Sequence, residues 1–145
     1  METGRYGHTA TLLSDGTVLV TGGLTAELFD PNSGSFTPTT GSMGTSRADH
    51  TATLLKDGTV LIAGGAFVRL LNGIRNRVLA SIASAELYDP AKKTFSPTGG
   101  LQSGRYFHTA SLLNDGTVLV TGGTHVDVVS GQISSTVLST AELYK

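Results

Sequence analysis

The sequence predicts an all-β protein made of three successive four-stranded antiparallel sheets, without helices. A segment that reads His-Thr-Ala from His8, followed by Asp-Gly-Thr-Val-Leu and a Gly-Gly pair, returns at His50 and His108, which lie 42 and 58 residues further along in turn. No stretch shows the 3.6-residue apolar period of an amphipathic helix. The 19 glycines stand among runs of Val, Leu and Thr. This composition is typical of many short strands joined by tight turns.

The first two strands of each copy are predicted to form a β-hairpin. In the first copy, residues 9–13 and 17–21 flank Ser14-Asp15-Gly16, and the Asp-Gly pair is expected to supply the positive φ angles of a tight turn. Later copies have Asp57-Gly58 and Asp115-Gly116 there. The second strand is apolar at consecutive positions, so we expect neighbouring sheets to cover both of its faces.

The third and fourth strands follow in the same order in each copy. The third strand reads Ala-Glu-Leu-Phe or Ala-Glu-Leu-Tyr, at residues 26–29, 85–88 and 141–144. An Asp-Pro turn then leads to a fourth strand, at residues 35–38 and 94–97. Because this strand contains a proline, which cannot donate a backbone hydrogen bond, we place it at the outer edge of the sheet. The third copy is predicted to lack its outer strand.

The order of these motifs resembles the kelch repeat of the galactose-oxidase-like β-propellers. The shared features are Arg-x-x-His-Thr-Ala, Asp-Gly-Thr-Val-Leu, Gly-Gly, Ala-Glu-Leu-Tyr-Asp-Pro and a fourth-strand aromatic residue, here Phe36 or Phe95 where the family usually has tryptophan. The resemblance covers the whole chain. It implies kelch-type propeller blades at residues 1–42, 43–100 and 101–145, the last of them incomplete.

Three blades are too few for a ring, because propellers close with about four to eight. Two interpretations follow from the blade count. The chain is expected to be either a segment of a longer propeller, which we favour, or a half-ring that pairs head to tail with a second copy as a homodimer.

Composition excludes several classes of function. The net charge of −1 provides no basic face for nucleic acid or for an anionic membrane. No apolar run approaches the roughly 18 residues of a spanning helix, the first residues do not read as a signal peptide, and the compartment stays open. The chain has no cysteine. That absence excludes the tyrosine–cysteine copper chemistry associated with galactose oxidase, and we expect no cofactor.

An arginine, a histidine and a glutamate recur in every copy. We interpret the histidine as bonded to backbone, and the arginine and glutamate as an ion pair, because an active site is normally asymmetric. A ring of guanidinium groups that holds an anion is the alternative. Stacked sheets lie about 10 Å apart, so the histidines are not expected to share a metal ion. The recurring residues are Arg5, His8, Glu27, Arg47, His50, Glu86, Arg105, His108 and Glu142.

The copies differ mainly between the second and third strands. This connection is residues 24–25 in the first copy, 66–84 in the second and 124–140 in the third. Because each antiparallel strand reverses the direction of the chain, alternate connections lie on the same side of the molecule. We therefore expect all three connections on one side, together with the connections that enter each first strand, and we call this side the loop face. Asn72-Gly73 and Ser130-Gly131 predict that the long insertions form hairpins.

The insertions hold the candidate ligand contacts. Arginines of the second insertion are candidates for an acidic saccharide or an acidic protein patch, and a His–Asp pair in the third lacks a third ligand for a metal ion. These residues are Arg69, Arg75, Arg77, His125 and Asp127.

No sequence motif indicates catalysis. Gly-x-Ser-x-Gly, Walker and His-Glu-x-x-His patterns are absent from the sequence. By analogy with the fold, we expect a non-enzymatic module that binds a protein or a glycan through the loop face. Two alternatives stay open: a segment of a propeller enzyme whose catalytic residues lie in other blades, and a self-assembling half-propeller.

Overall fold

The computed structural model describes residues 1–71, 76–129 and 132–145, and for 68–71, 76–79 and 128–129 it describes the backbone alone. Every helix or strand assigned within these residues is a β-strand, which confirms the predicted all-β class. These residues contain no helix long and apolar enough to cross a membrane. The strands are β1 (Thr9–Leu12), β2 (Val18–Gly22), β3 (Thr25–Asp30), β4 (Ser35–Pro38), β5 (Thr51–Leu54), β6 (Val60–Ala63), β7 (Ala66–Leu71), β8 (Asn76–Ser81), β9 (Ala85–Asp89), β10 (Thr94–Thr98), β11 (Thr109–Leu112), β12 (Val118–Thr121), β13 (Thr124–Val129), β14 (Gln132–Val137) and β15 (Ala141–Tyr144).

The strands form three antiparallel sheets and two separate hairpins. The first sheet has the order β1-β2-β3-β4, the second β5-β6-β9-β10 and the third β11-β12-β15. The proline-containing strands β4 and β10 lie at sheet edges, as predicted. The hairpins β7–β8 and β13–β14 interrupt the second and third sheets, and we call them the first arm and the second arm.

The hairpin turns use glycine differently from the prediction. Only the glycine takes a positive φ, 86° at Gly16, whereas Asp15 does not. The Gly16 N–H donates to the Leu13 carbonyl (3.0 Å), and the Leu13 N–H donates to the Thr17 carbonyl (2.8 Å). This is a three-residue turn closed by a glycine bulge. Asp15 stabilises it by accepting from the Thr17 N–H and hydroxyl (2.9 and 2.7 Å), which holds its pKa below the usual value.

The three sheets stack face to face, with β5 in contact with both β1 and β11. Leu19 and Leu28 of the first sheet pack against Val60, Ile62 and Tyr88 of the second. The opposite face of the second sheet packs against the third through a cluster that contains Leu61, Ala63, Ala85, Val118 and Val120. Both faces of β6 are therefore buried, as its unbroken apolar sequence predicts.

A backbone ladder also joins the sheets at the residue before each repeated histidine. The Asp49 N–H donates to the Gly7 carbonyl (2.7 Å), and the Phe107 N–H donates to the Asp49 carbonyl (3.1 Å). All three residues have left-handed backbones, with φ of 54° at Gly7 and 55° at the other two. Since L residues with side chains rarely adopt this conformation, the stacking imposes a strained geometry at Phe107.

The two arms pack against each other through β8 and β13. In the first arm the register ends with Leu71 opposite Asn76, so four residues separate the strands. A two-residue turn made by Asn72-Gly73 alone would place Leu71 opposite Ile74, whereas the observed register places Leu71 opposite Asn76. The predicted turns at Asn72-Gly73 and Ser130-Gly131 themselves lie outside the described residues.

Candidate functional site

The recurring arginines and glutamates form one ion pair within each sheet. Each arginine lies in the connection that enters the first strand, and its glutamate lies in the third strand of the same sheet. The pairs are Arg5 with Glu27 (Nη2–Oε2 3.0 Å), Arg47 with Glu86 (Nη2–Oε1 2.7 Å) and Arg105 with Glu142.

Each guanidinium also links the two ends of the connection between the second and third strands of its sheet. Arg47 Nη1 donates to the carbonyls of Gly64 (2.8 Å) and Ser84 (2.9 Å), which flank the base of the first arm. Arg5 Nη1 makes the equivalent bonds to the carbonyls of Gly22 and Thr25, each at 2.6 Å. The arginine therefore holds the connection closed whether it contains two residues or a whole arm.

Burial determines what these arginines can do. Arg47 is 1% exposed and Arg105 is fully buried, so neither is presented to an anion in solvent. Burial lowers the pKa of Arg47 against the opposing effect of Glu86. Burial also acts to raise the pKa of Glu27, but the Glu2 N–H (2.7 Å) and the Arg5 guanidinium outweigh it and hold that pKa below its ordinary value. The geometry supports the structural interpretation over the anion ring.

The repeated histidines join one sheet to the next. His50 Nε2 lies 3.0 Å from the Thr9 hydroxyl and 2.9 Å from the Thr21 hydroxyl, both in the preceding sheet. His108 Nε2 lies 3.0 Å from the Thr51 hydroxyl in the same way. The sequence predicted backbone partners. The structure places threonine hydroxyls at Nε2 of both imidazoles, and the backbone of Ala63 also bonds to His108, because each imidazole reaches across the junction between sheets.

Both of these histidines are neutral at ordinary pH. Burial, together with the charge of Arg47, lowers the pKa of His50 to about 3. Burial and the charge of Arg105 lower that of His108 to about 4. His8, the equivalent residue of the first sheet, is exposed, since no sheet among the described residues packs on that face.

A cleft of about 420 Å³ opens on the loop face between the first and second sheets. We call it the loop-face cleft. Tyr6 is 72% exposed, Leu24 50% and Phe67, at the start of the first arm, 39%. The cleft is lined by Thr3, Gly4, Arg5, Tyr6, Gly22, Gly23, Leu24, Thr25, Ser46, Arg47, Ala48, Ala66 and Phe67.

Backbone pairing holds the walls of this cleft rigidly. Gly23 and Arg47 exchange two hydrogen bonds between the first and second sheets (2.9 and 3.0 Å). Ala48 and Ala66 exchange another two at the start of the first arm (2.9 and 2.8 Å). The two sheets and the arm therefore present one continuous surface to a ligand.

The predicted ligand contacts lie on the two arms. Arg69 lies on β7 and Arg77 on β8, but their side chains, and the whole of Arg75, lie outside the described residues. His125 and Asp127 lie on β13, with His125 Nε2 3.1 Å from Asp127 Oδ2. Within the described residues, no group of three or more His, Cys, Asp or Glu side chains is arranged to hold a metal ion.

His125 also contacts a serine, which creates a superficial likeness to a Ser–His–Asp triad. Its Nδ1 lies 3.2 Å from Ser81 Oγ but only 2.6 Å from the Gly104 carbonyl. Since a carbonyl can only accept, Nδ1 carries the proton and cannot serve as a base toward Ser81. The serine hydroxyl donates to the Val126 carbonyl and accepts from its N–H, each at 3.1 Å. The group fastens the two arms together and is not arranged for catalysis.

A second cleft, on the opposite side of the molecule, is lined by the hairpin turns. Asp15, Asp57 and Asp89 contribute carboxylates to it. Each of these carboxylates already accepts hydrogen bonds within its own turn, as Asp57 does from the Thr59 N–H (3.0 Å) and hydroxyl (2.7 Å). These side chains maintain the turns, so the loop-face cleft is the better candidate site.

Comparison with protein-family profiles finds no match to this chain, and comparison with curated protein sequences finds none. Among solved structures, the structure of YjhT is similar, with a TM-score of 0.69 and 18% sequence identity. The match covers 85% of this chain and 35% of the YjhT chain. This chain thus spans well under half of YjhT, and at this identity the likeness shows a shared fold alone.

Sequence reasoning identified the connections that border the cleft but did not single out Tyr6, Leu24 or Phe67 as its exposed side chains. Tyr6 follows the recurring arginine, at a position occupied by Ala48 and Tyr106 in the later copies. Leu24 belongs to the short connection and Phe67 to the long one. The available signal at Tyr6 was an aromatic residue beside the repeated arginine, because a position that accepts either tyrosine or alanine does not need an aromatic ring to form the fold.

Proposed function

We propose that this protein consists of kelch-type β-propeller blades and binds a glycan in the loop-face cleft. The repeated motifs and the stacked antiparallel sheets support the propeller. The composition and position of the cleft support the binding function. Rigid scaffolds commonly carry their binding sites where connections of unequal length meet, and this cleft lies at such a place.

The exposed rim of the cleft carries the proposal. Tyr6 and Phe67 offer ring faces, Leu24 offers an aliphatic surface, and Thr3, Thr25 and Ser46 offer hydroxyls. A pyranose ring has C–H groups that pack on aromatic faces and hydroxyls at its edge that exchange hydrogen bonds. Small-ligand sites combine apolar walls with a few polar groups in about 300–1,000 Å³, and the cleft has this size and character.

The charge of the cleft favours a neutral sugar. Among the described residues that line it, the charged ones are Arg5 and Arg47. Both guanidinium groups are paired with buried glutamates, and their side chains are 2% and 0% exposed. A carboxylated sugar would gain no accessible cation among these residues, whereas a neutral hexose or disaccharide needs none.

Saturation-transfer NMR with a panel of neutral and acidic oligosaccharides tests this function on the 145-residue chain. We expect a neutral saccharide to receive saturation, and Tyr6→Ala and Phe67→Ala to weaken its binding about tenfold each, because each removes a ring from the rim. Phe107→Ala is the matched control, since Phe107 is a 67%-exposed aromatic residue outside the cleft. It should bind as the unmodified chain does.

Three results would overturn the proposal. These are the absence of any binder in the panel, preferential binding of its acidic members, and an equal loss of binding in Tyr6→Ala, Phe67→Ala and the control Phe107→Ala. Binding of a purified protein partner that Tyr6→Ala abolishes, without any saccharide binding, would assign the same surface to a protein.

A further inference from the structure

The first and third sheets each have one face that points away from the second sheet. Between them, these two outward faces carry the two sets of groups that meet at each junction between sheets. Each existing junction joins an upstream sheet to a downstream sheet through three kinds of contact. These are a histidine bonded to two threonine hydroxyls at the first junction and to one at the second, a backbone hydrogen bond before that histidine, and packed apolar side chains.

The outward face of the third sheet has the upstream half. The Thr109 and Thr121 hydroxyls lie 2.8 Å apart, the same separation as the Thr9 and Thr21 hydroxyls that receive His50. The Phe107 carbonyl is the last of the backbone ladder within this chain. Leu143, which occupies the position of Leu28, is 54% exposed.

The outward face of the first sheet has the downstream half. His8 is exposed where His50 and His108 are buried, and the Gly7 N–H stands where the Asp49 and Phe107 N–H groups donate to the preceding sheet. Leu12, which occupies the position of Leu54, is 64% exposed. Both faces therefore show apolar and hydrogen-bonding groups that the interior junctions bury.

We propose that a second copy of this chain docks head to tail, so that the third sheet of each copy packs on the first sheet of the other. His8 would then bond to the Thr109 and Thr121 hydroxyls of its neighbour, and the Gly7 N–H would donate to the neighbour's Phe107 carbonyl. Two identical junctions result, and the six sheets close into a ring within the range of four to eight that propellers use. The net charge of −1 opposes this association only weakly.

Sedimentation velocity over a range of protein concentrations tests the proposal. We expect a single species of twice the chain mass of 14.9 kDa. Leu12→Glu and Leu143→Glu each place a charge in both junctions of a homodimer and should leave one chain mass. Val137→Glu, at an 83%-exposed position on the second arm, is the matched control and should keep the doubled mass.

Mixing the two glutamate variants identifies the geometry. In a head-to-tail dimer of one copy of each variant, both substitutions fall in the same junction and the other junction is unaltered. The mixture should therefore recover a doubled mass that neither variant forms alone. Far-UV circular dichroism checks that each variant keeps its strands. His8→Ala, an exposed change, should weaken dimerisation about tenfold for each junction, through the loss of its hydrogen bonds.

The proposal fails if the unmodified chain keeps one chain mass at every concentration, in which case other sheets cover these faces. It also fails if only one glutamate variant loses the dimer, because that result indicates a face-to-itself contact. Saccharide binding does not depend on either outcome, since the loop-face cleft lies at the junction between the first and second sheets.

Discussion

The junctions inside the stack and its two outward faces use the same residues with different results. Leu28 and Leu143 occupy one repeat position, but Leu28 is 8% exposed and Leu143 is 54% exposed. His50 is buried against two threonine hydroxyls, whereas His8 faces solvent. A repeated residue therefore gains its structural role only when a neighbouring sheet completes its surroundings, as expected for an architecture in which units contact their nearest neighbours.

The largest expected effect comes from comparing the two leucines. Leu28→Ala should lower the free energy of unfolding by about 2–5 kcal/mol, because it leaves a cavity between packed sheets. Leu143→Ala should change it by no more than about 0.5 kcal/mol, since the side chain is mostly hydrated already. Urea unfolding of dilute protein, below the concentration at which copies associate, measures both. Equal losses would show that the third sheet's outward face is covered within a single chain.

The buried histidines His50 and His108 predict that the free energy of unfolding depends on pH. The folded-state pKa of His50 is about 3 and that of His108 about 4, both below the ordinary value of 6.5. The unfolded chain therefore binds more protons, so their contribution is complete above pH 6.5 and declines as the pH falls toward the folded-state values. Each buried histidine should cost about 1.4 kcal/mol per pH unit in this window.

Unfolding measured from pH 7 to pH 5 in matched variants checks this assignment. His50→Asn should remove about half of the slope, and His108→Asn should remove a similar share. The carboxylates of the turns contribute at lower pH, because the pKa values of Asp15 and Asp57 are lowered further by their threonine partners. A slope unaffected by His50→Asn would contradict the neutral, buried state of this imidazole.

The smallest expected effect concerns the left-handed residue before each histidine. Phe107→Gly should be more stable than Phe107→Ala by about 0.5–1 kcal/mol, since glycine adopts φ of 55° without strain but retains more freedom in the unfolded chain. Phe107→Ala removes the same ring and keeps the strain, so it isolates the backbone term. Thermal unfolding of the two variants measures the difference. A more stable Phe107→Ala would show that the strain is negligible.

The sequence predicted the elements that each copy builds from its own residues. Hairpins, third strands and proline-containing edge strands depend on short patterns such as Asp15-Gly16, and local sterics act the same way in each copy. It did not predict the left-handed conformation at Asp49 and Phe107, because aspartate visits that region only occasionally and phenylalanine has no preference for it. That conformation arises where the chain of one sheet donates a hydrogen bond to the sheet before it.

The candidate site was predicted less completely than the fold. The loop face was identified from unequal connection lengths, but the cleft depends on residues distant in sequence, such as Tyr6 and Phe67, that the stacking of two sheets brings together. The His125–Asp127 pair was recognised from its spacing. Its hydrogen bonds to Ser81 and Gly104 depend on how the two arms pack together, which no local sequence pattern predicts.

By itself, the sequence determined the strand order within each sheet, the turns between strands and the apolar positions that sheets must cover, because these follow from residue-by-residue propensities and a repeated pattern. The tertiary structure alone decided that the repeated arginines are inaccessible, that His50 and His108 are buried whereas His8 is exposed, and which aromatic residues border a cleft. Those properties depend on burial and on contacts across sheet junctions. Identical residues at repeated positions therefore differ when only some of them are covered by a neighbouring sheet.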